Sequence, residues 1–345
     1  MIVDIESILC FIWAFMISVF AIPSITYVAH LKNLLDKPNQ RTVHSLLTPR
    51  LGGLAIFAGM VSALMIFGKI NNGVQHLLAG AIIIYYIGLK DDIVSVSAFK
   101  KFFVQILATG IVIFMGDVRI TSFQGVLGIY ELPVGLSYAF SFLMIIGLTN
   151  SINLIDGLDG LAGSIIVVIL STFGFYFYIY GGENFRPFAY VAFSLVGGMV
   201  GFLRYNFYKA TIFMGDTGSL ISGFVIAVLT IQFIEMKAIP TAPSIGIAIL
   251  FVPMFDTIRV FTLRIMKGVS PFSPDKNHIH HILIGCGMSQ VATVVTLVVI
   301  NSATILFVSA LKSFPNHTLL SIIGIQSLIL VLLLEFFKRK INNKT

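Results

Sequence analysis

Residues 148–180 read LTNSINLIDGLDGLAGSIIVVILSTFGFYFYIY. The second part, 161–180, holds no charged residue. It has the length that an α-helix needs to cross a hydrocarbon layer roughly 30 Å thick with every backbone group bonded inside the helix. The first part is polar, with Asn150, Asn153, Asp156 and Asp159 three residues apart. Working outward, ten further apolar stretches have the same character, at 8–30, 51–70, 74–89, 102–117, 134–149, 188–203, 218–235, 244–262, 291–311 and 318–337. The expected fold is all-α: a polytopic integral membrane protein with about 11 transmembrane helices. Composition agrees. The 345 residues are 57% hydrophobic and 11% charged, against about 45–50% and 25% in a soluble domain. That much apolar side chain excludes a water-soluble enzyme, a disordered chain, a collagen and a basic nucleic-acid-binding domain.

Charge placement gives the expected orientation. Lys69, Arg119, Arg186, Lys237 and Lys312 fall in alternate loops, and the other 17 of the 22 Lys and Arg residues fall on the opposite side. Positive loops stay in the cytoplasm, so the N-terminus is expected outside and the C-terminus inside. The net charge of +7 is then an orientation device and an attraction for anionic membrane lipid, with no nucleic acid implied. The start, MIVDIESILC, carries Asp4 and Glu6 and no basic residue. A secretory signal begins positively charged, so the first span is expected to be retained. Cys10 and Cys286 form no disulfide framework and no CxxC metal site. Without an internal repeat or a long linker, residues 1–345 are expected to form a single membrane domain, with cytoplasmic loops near 31–50, 90–101, 150–160, 204–217 and 263–290.

The acidic residues cluster on that cytoplasmic side. GLKDDIVSVSAFKK (88–101) sets Asp91 and Asp92 side by side, and adjacent carboxylates repel unless Lys90, Lys100, Lys101 or a metal neutralises them. In 148–163 the Asn/Asp series does not stay on one helical face, and Gly157 and Gly160 loosen it. It reads as backbone opening beside a cavity, or as a capped helix start. FMGDTGS (213–219) puts Asp216 in a small turn before a helix, where it would hold a cation that bridges to phosphate, or serve as an ordinary cap. SPFSPDKNHIHH (270–281) brings His278, His280 and His281 together, for phosphate binding, proton transfer or metal ligation, or as a solvated loop. Oxygen donors without cysteine suit Mg²⁺ or Mn²⁺. No Walker-type run and no G-x-S-x-G elbow is present.

Taken in order, DKPN (36–39), His44, Pro49, Gly52–Gly53, the Asp91–Asp92 pair, NSINLIDGLDGLAG, FMGDTGS, PMFDTIR (253–259) and HIHH resemble the polyprenyl-phosphate N-acetylhexosamine-1-phosphate transferase family. The resemblance covers nearly the whole chain and is nearest the branch that starts bacterial surface glycans. It implies transfer of a sugar phosphate, most often GlcNAc-1-phosphate, from a UDP-N-acetylhexosamine to undecaprenyl phosphate, with release of UMP and a need for Mg²⁺. By the same resemblance Asp91, Asp92 and Asp156 are the catalytic carboxylates. Asn153 and Asp216 are the metal ligands, Lys101 holds the diphosphate, and Phe213 and Asp159 meet the uracil. Arg264, His278, His280 and His281 meet sugar or phosphate, and His44 belongs to the first-loop motif. It also implies a multi-pass protein of the bacterial inner membrane, its active site facing the cytoplasm, and a homodimer. Two other readings stand beside it. An intramembrane prenyltransferase would leave HIHH and Asp91–Asp92 without a task. A cation-coupled transporter would set its ionisable groups near the bilayer midplane instead of along one surface.

Overall fold

The computed structural model describes residues 5–36, 47–71, 73–271 and 277–342. His44, expected in the first-loop motif, lies outside them. The chain runs through helices α1 (Ile5–Leu31), α2 (Gly52–Phe67), α3 (Val74–Ile93) and α4 (Ala98–Gly110), the last continued by a π-helical turn, Ile111–Met115. A short hairpin follows, β1 (Ser122–Val126) and β2 (Ile129–Glu131). Then come α5 (Val134–Leu154), α6 (Leu161–Tyr180), α7 (Gly182–Asn206), α8 (Gly215–Glu235), α9 (Ala242–Ile249), α10 (Phe251–Met266), α11 (Ile279–Gly285), α12 (Gln290–Ala310) and α13 (Asn316–Asn342).

Each of the eleven expected apolar stretches falls on a helix or a broken helix pair. Eight helices among the described residues are long and apolar enough to cross a membrane, with the α4 helix counted through Met115. The pair α9–α10, bent by 76°, makes a ninth if it is one span. The remaining two are α2, with 16 residues, and α3, whose last turn carries Lys90, Asp91 and Asp92. The protein is a multi-pass, mostly helical membrane protein. The hairpin and the π-turn had no counterpart in the expected pattern.

Two compact units divide the chain, Met1–Ser122 with Glu131–Ala238, and Phe123–Tyr130 with Ile239–Thr345. In the first, α8 is the central helix and is buried along almost its whole length. Its first turns are approached closely by backbone. A Cβ added at Gly53 of α2 would meet Gly218 N at 2.3 Å, and one at Gly88 of α3 would meet Thr217 Cα at 2.6 Å. Small residues let helices pack backbone to backbone where lipid provides no hydrophobic drive between them. That packing brings the ends of α2 and α3 against the start of α8.

In the second unit the break between α9 and α10 has an identifiable cause. Pro253 has no N–H, so Ile249 O, four residues earlier, loses its helical donor. Asn301 of α12, fully buried, fills the gap: its Nδ2 donates to Ile249 O at 3.1 Å and its Oδ1 accepts from Val252 N at 3.0 Å. A broken helix is tolerated at membrane depth only where its freed groups find such partners. Replacing Asn301 with Leu is therefore expected to cost about 1–3 kcal/mol of stability, the penalty for orphaned buried groups. Thermal unfolding of the purified protein in detergent reads this as a lower midpoint. A midpoint equal to wild type would show that Asn301 does not hold the break. Asn316 acts similarly at the start of α13, donating to Gln124 O at 2.9 Å and Pro240 O at 3.0 Å and accepting from Ser244 Oγ at 2.6 Å.

Candidate active site

The site in the first unit is built around the start of α8. Phe213 and Met214 run alongside the entry to α2: Phe213 N donates to Pro49 O at 2.8 Å, and Gly52 N and Gly53 N donate to Phe213 O and Met214 O, each at 2.9 Å. Gly215 then turns the chain into α8 with φ +70°. A side chain there would meet Arg50 O at 2.2 Å and the Asp92 carboxylate at 2.5 Å, so the position requires glycine both for its dihedral and for room.

The first amides of a helix have no partner inside it. Here they are satisfied from α3. Asp92 Oδ1 accepts from Asp216 N at 2.7 Å, and Oδ2 accepts from Thr217 N at 3.0 Å and Thr217 Oγ1 at 2.5 Å. An anion at a helix N-terminus is also favoured by the helix dipole. Asp92 is thus a cap supplied by a different helix, with both carboxylate oxygens engaged. Its neighbour Asp91 turns the other way. Oδ1 accepts from Val96 N at 2.7 Å, which shapes the α3–α4 connection, and Oδ2 pairs with Lys101 Nζ at 2.7 Å. Lys101 Nζ reaches Asp216 Oδ2 as well, at 2.5 Å. One ammonium therefore lies between two carboxylates, and all three side chains retain some exposure, at 24%, 14% and 26% for Lys101, Asp91 and Asp216.

Asn153, in the last turn of α5, places Nδ2 at 3.4 Å from Asp216 Oδ1 and 2.9 Å from Ser219 Oγ. Beyond α5 the chain opens through short turns, Asp156 N to Asn153 O at 3.3 Å and Gly157 N to Ile155 O at 2.9 Å, and Gly160 at φ +77° starts α6. The Asp156 carboxyl is pushed up to about 7, first by the protein around it and then by the charges of Asp216, Asp92 and Asp159, with Arg50 opposing. Asp156 nevertheless meets solvent, so the clustered negative charge is the firmer cause. Asp159 faces inward, 3% exposed, and its Oδ2 accepts from Ala210 N at 3.1 Å. Asn206 completes that corner, accepting from Gly160 N at 2.9 Å and donating to Ile212 O at 3.0 Å. These bonds order the segment that leads to half-buried Phe213.

The second unit holds the histidines. His278 and His280 are buried, and their rings stack at 5.8 Å with an interplanar angle of 14°. His281 packs its ring 4.3 Å from that of His280. Burial pushes His280 down to about 3, with the adjacent His281 adding to the effect, which favours the neutral ring. Arg264 is also buried. Its Nη1 donates to Pro271 O, which closes the turn after α10.

A model of glycosyl transferase family 4 matches residues 74–234. The chain is 35% identical over 306 residues to a probable undecaprenyl-phosphate N-acetylglucosaminyl 1-phosphate transferase of Bacillus subtilis, covering 87% of this chain and 84% of that protein. The chain belongs to glycosyl transferase family 4. Similarity extends to a decaprenyl-phosphate N-acetylglucosaminephosphotransferase of Mycobacterium leprae, 31% identical over 88% of this chain and 83% of that one. It extends also to an undecaprenyl-phosphate alpha-N-acetylglucosaminyl 1-phosphate transferase of Escherichia coli, 30% identical over 76% of this chain and 72% of that one.

The segment matched by glycosyl transferase family 4 contains every group of the α8 cluster and ends before the histidines. Within it the fold assembles Asp91, Asp92, Lys101, Asn153 and Asp216, which are up to 125 residues apart in sequence. As a metal centre the cluster offers two hard oxygen donors, the Asp216 carboxylate and the Asn153 amide. Among the described residues no group of three His, Cys, Asp or Glu side chains could hold a metal ion. Two hard oxygens are the kind of donor set that an ion such as Mg²⁺, which keeps several waters, can accept, although Asn153 here turns Nδ2 and not its oxygen toward Asp216. Several residues of the two units were given no catalytic or binding role from sequence. Thr217 and Ser219 lie inside the FMGDTGS motif, and their hydroxyls are the signal that could have found them. Asp256 and Arg259, which pair at 3.0 Å, lie inside PMFDTIR. Asn206 carried no local signal.

Proposed function

We propose that the protein transfers N-acetylglucosamine 1-phosphate from its UDP-sugar to undecaprenyl phosphate, releasing UMP and leaving an undecaprenyl-diphosphate sugar. The observation that carries this reading is the Lys101 ammonium held between Asp91 and Asp216, beside the Asn153 amide. A diphosphate and a phosphate meeting in one site bring several negative charges together, and catalysis is then chiefly a matter of positioning and of fixed positive charge. The lipid phosphate oxygen forms a bond to the β-phosphorus of the UDP-sugar. The bond from that phosphorus to the bridging oxygen breaks, and the electron pair leaves with UMP. Lys101 offsets charge on the diphosphate. Asp91 and Asp216 aim the ammonium from opposite sides. Asp92 holds the start of α8, and with it Asp216, in place. A phosphate nucleophile is already ionised near neutral pH, so Asp156 is not required as a strong base and instead shapes the field. Asp216 and Asn153 would hold Mg²⁺, or Mn²⁺, which supplies positive charge against the diphosphate.

Eleven spans, counting α2, α3 and the bent pair, accord with the distribution of basic residues, 17 on one side and five on the other. On that reading the α8 cluster faces the cytoplasm of a bacterial inner membrane, where a UDP-sugar is available, and the lipid tail lies between spans. A homodimer is the expected assembly. The test mixes purified full-length protein, Mg²⁺ and undecaprenyl phosphate with a panel of UDP-sugars. UMP release with UDP-GlcNAc supports both reaction and donor. Release with another N-acetylhexosamine alone corrects the sugar, and silence with every donor removes the transferase reading.

A further inference from the structure

α4 carries Lys101 into the site, yet little of α4 is enclosed by protein. Phe99, Phe102, Phe103 and Leu107 are exposed along it, and its buried residues are Gln105, Ala108 and Thr109. Lipid tails are as apolar as such side chains, so apolar contact alone does little to fix the rotation of a helix of this kind. α5 is the firm neighbour. A Cβ added at Gly223 of α8 would meet Thr149 O of α5 at 2.7 Å, and Asn153, one turn on, donates to Ser219 of α8.

Between α4 and α5 lies a reciprocal amide pair. Gln105, 3% exposed, donates through Nε2 to Asn150 Oδ1 at 3.3 Å, and its Oε1 accepts from Asn150 Nδ2 at 2.8 Å. The same Nδ2 donates to Ile146 O of its own helix at 2.8 Å, which fixes the end of the Asn150 amide that meets each atom of Gln105. The pair sits about one turn from the site on both helices. Lys101 and Gln105 are four residues apart on one face of α4, and Asn150 and Asn153 are three apart on one face of α5. Beyond the pair both helices converge on a single carboxylate: Lys101 Nζ meets Asp216 Oδ2, and Asn153 Nδ2 lies 3.4 Å from Oδ1. An apolar contact would hold α4 against α5 at many rotations, whereas two directed bonds to one amide restrict it to a narrow range.

We propose that Gln105 is a positioning residue that acts through Lys101: its bonds to Asn150 set the rotation of α4 so that the ammonium falls on Asp216. This rests on the transferase reading, in which Lys101 meets the diphosphate.

The test combines kinetics with a measurement that needs no turnover. In full-length protein, kcat/KM for UMP release is expected to fall by about 10–100-fold in Gln105→Met, which keeps the length of the side chain and removes its amide. A displacement on the order of 1 Å at a reacting group has an effect of that size. In a Lys101→Met background the same change is expected to cause no further loss, because the group it positions is already gone. Losses that multiply, as a general weakening of the fold would give, or a Gln105→Met enzyme as active as wild type, overturn the proposal. If Gln105→Met does not fold, Gln105→Asn, which keeps the amide and shortens its reach, is read in both backgrounds with the same outcomes. The second measurement is the distance between spin labels at Phe99→Cys on α4 and Leu136→Cys on α5 in nanodiscs, with the free cysteines removed as Cys10→Ser and Cys286→Ser. The Gln105 variant should shift or broaden the distance distribution, and an unchanged distribution overturns the proposal. If wild type releases no UMP from any donor, the transferase reading fails, and the spin-label distances still decide whether Gln105 sets the rotation of α4.

Discussion

Asp216→Asn is expected to lower the rate of UMP release by about 10²–10³-fold, the scale on which loss of one fixed electrostatic group acts in a catalytic site. Asparagine keeps the size of the side chain and one carbonyl oxygen. It loses the charge that pairs with Lys101 at 2.5 Å, and with it the anionic donor available to a divalent ion. The bonds from Asp92 reach the backbone amides of residues 216 and 217 and the Thr217 hydroxyl, so the start of α8 should survive the change. The measurement is steady-state UMP release at saturating Mg²⁺, with thermal unfolding alongside to verify the fold. Turnover close to wild type in a folded variant would take Asp216 out of the site.

Lys101→Met should be comparably damaging for a different reason. Methionine fills similar space but leaves Asp91 and Asp216, each within 2.7 Å of the same ammonium, facing one another with no cation between them. Both the diphosphate's partner and the arrangement of the two carboxylates are lost, and kcat/KM is expected to drop by about 10²–10³-fold. Lys101→Arg should not restore it fully, because a planar fork cannot stand in for a compact ammonium between two carboxylates. A Lys101→Met enzyme within about threefold of wild type would contradict the charge-offset role, since so small a change corresponds to well under 1 kcal/mol.

The helices were legible because an uncharged run such as 161–180 admits one solution in a membrane, and its length alone marks it. The break near residue 250 was not read, although Pro253 announces it. A stretch expected to run straight from 244 to 262 is instead two helices bent by 76°, and the residue that makes the bend tolerable, Asn301, lies on α12. At the site, the residue types were legible and the pairings were not. Asp91 and Asp92 look interchangeable in sequence. Successive residues of a helix point about 100° apart, so one meets Lys101 while the other meets α8, and only packing decides which. Asp159 illustrates the same limit. Its Oδ2 accepts from the amide of residue 210, a pairing that the spacing of its motif does not announce.

The cap on α8 comes from a residue 124 positions upstream. During synthesis the third helix is threaded long before the eighth, so Asp92 waits beside Asp91 with no amides to hold while more than a hundred residues follow it. Until α8 docks, the two carboxylates and Lys101 are an incomplete charge cluster, and a truncated or stalled chain presents no assembled centre. Competence for chemistry is thereby tied to completion of the first unit through residue 217, an order of assembly imposed by a single borrowed side chain.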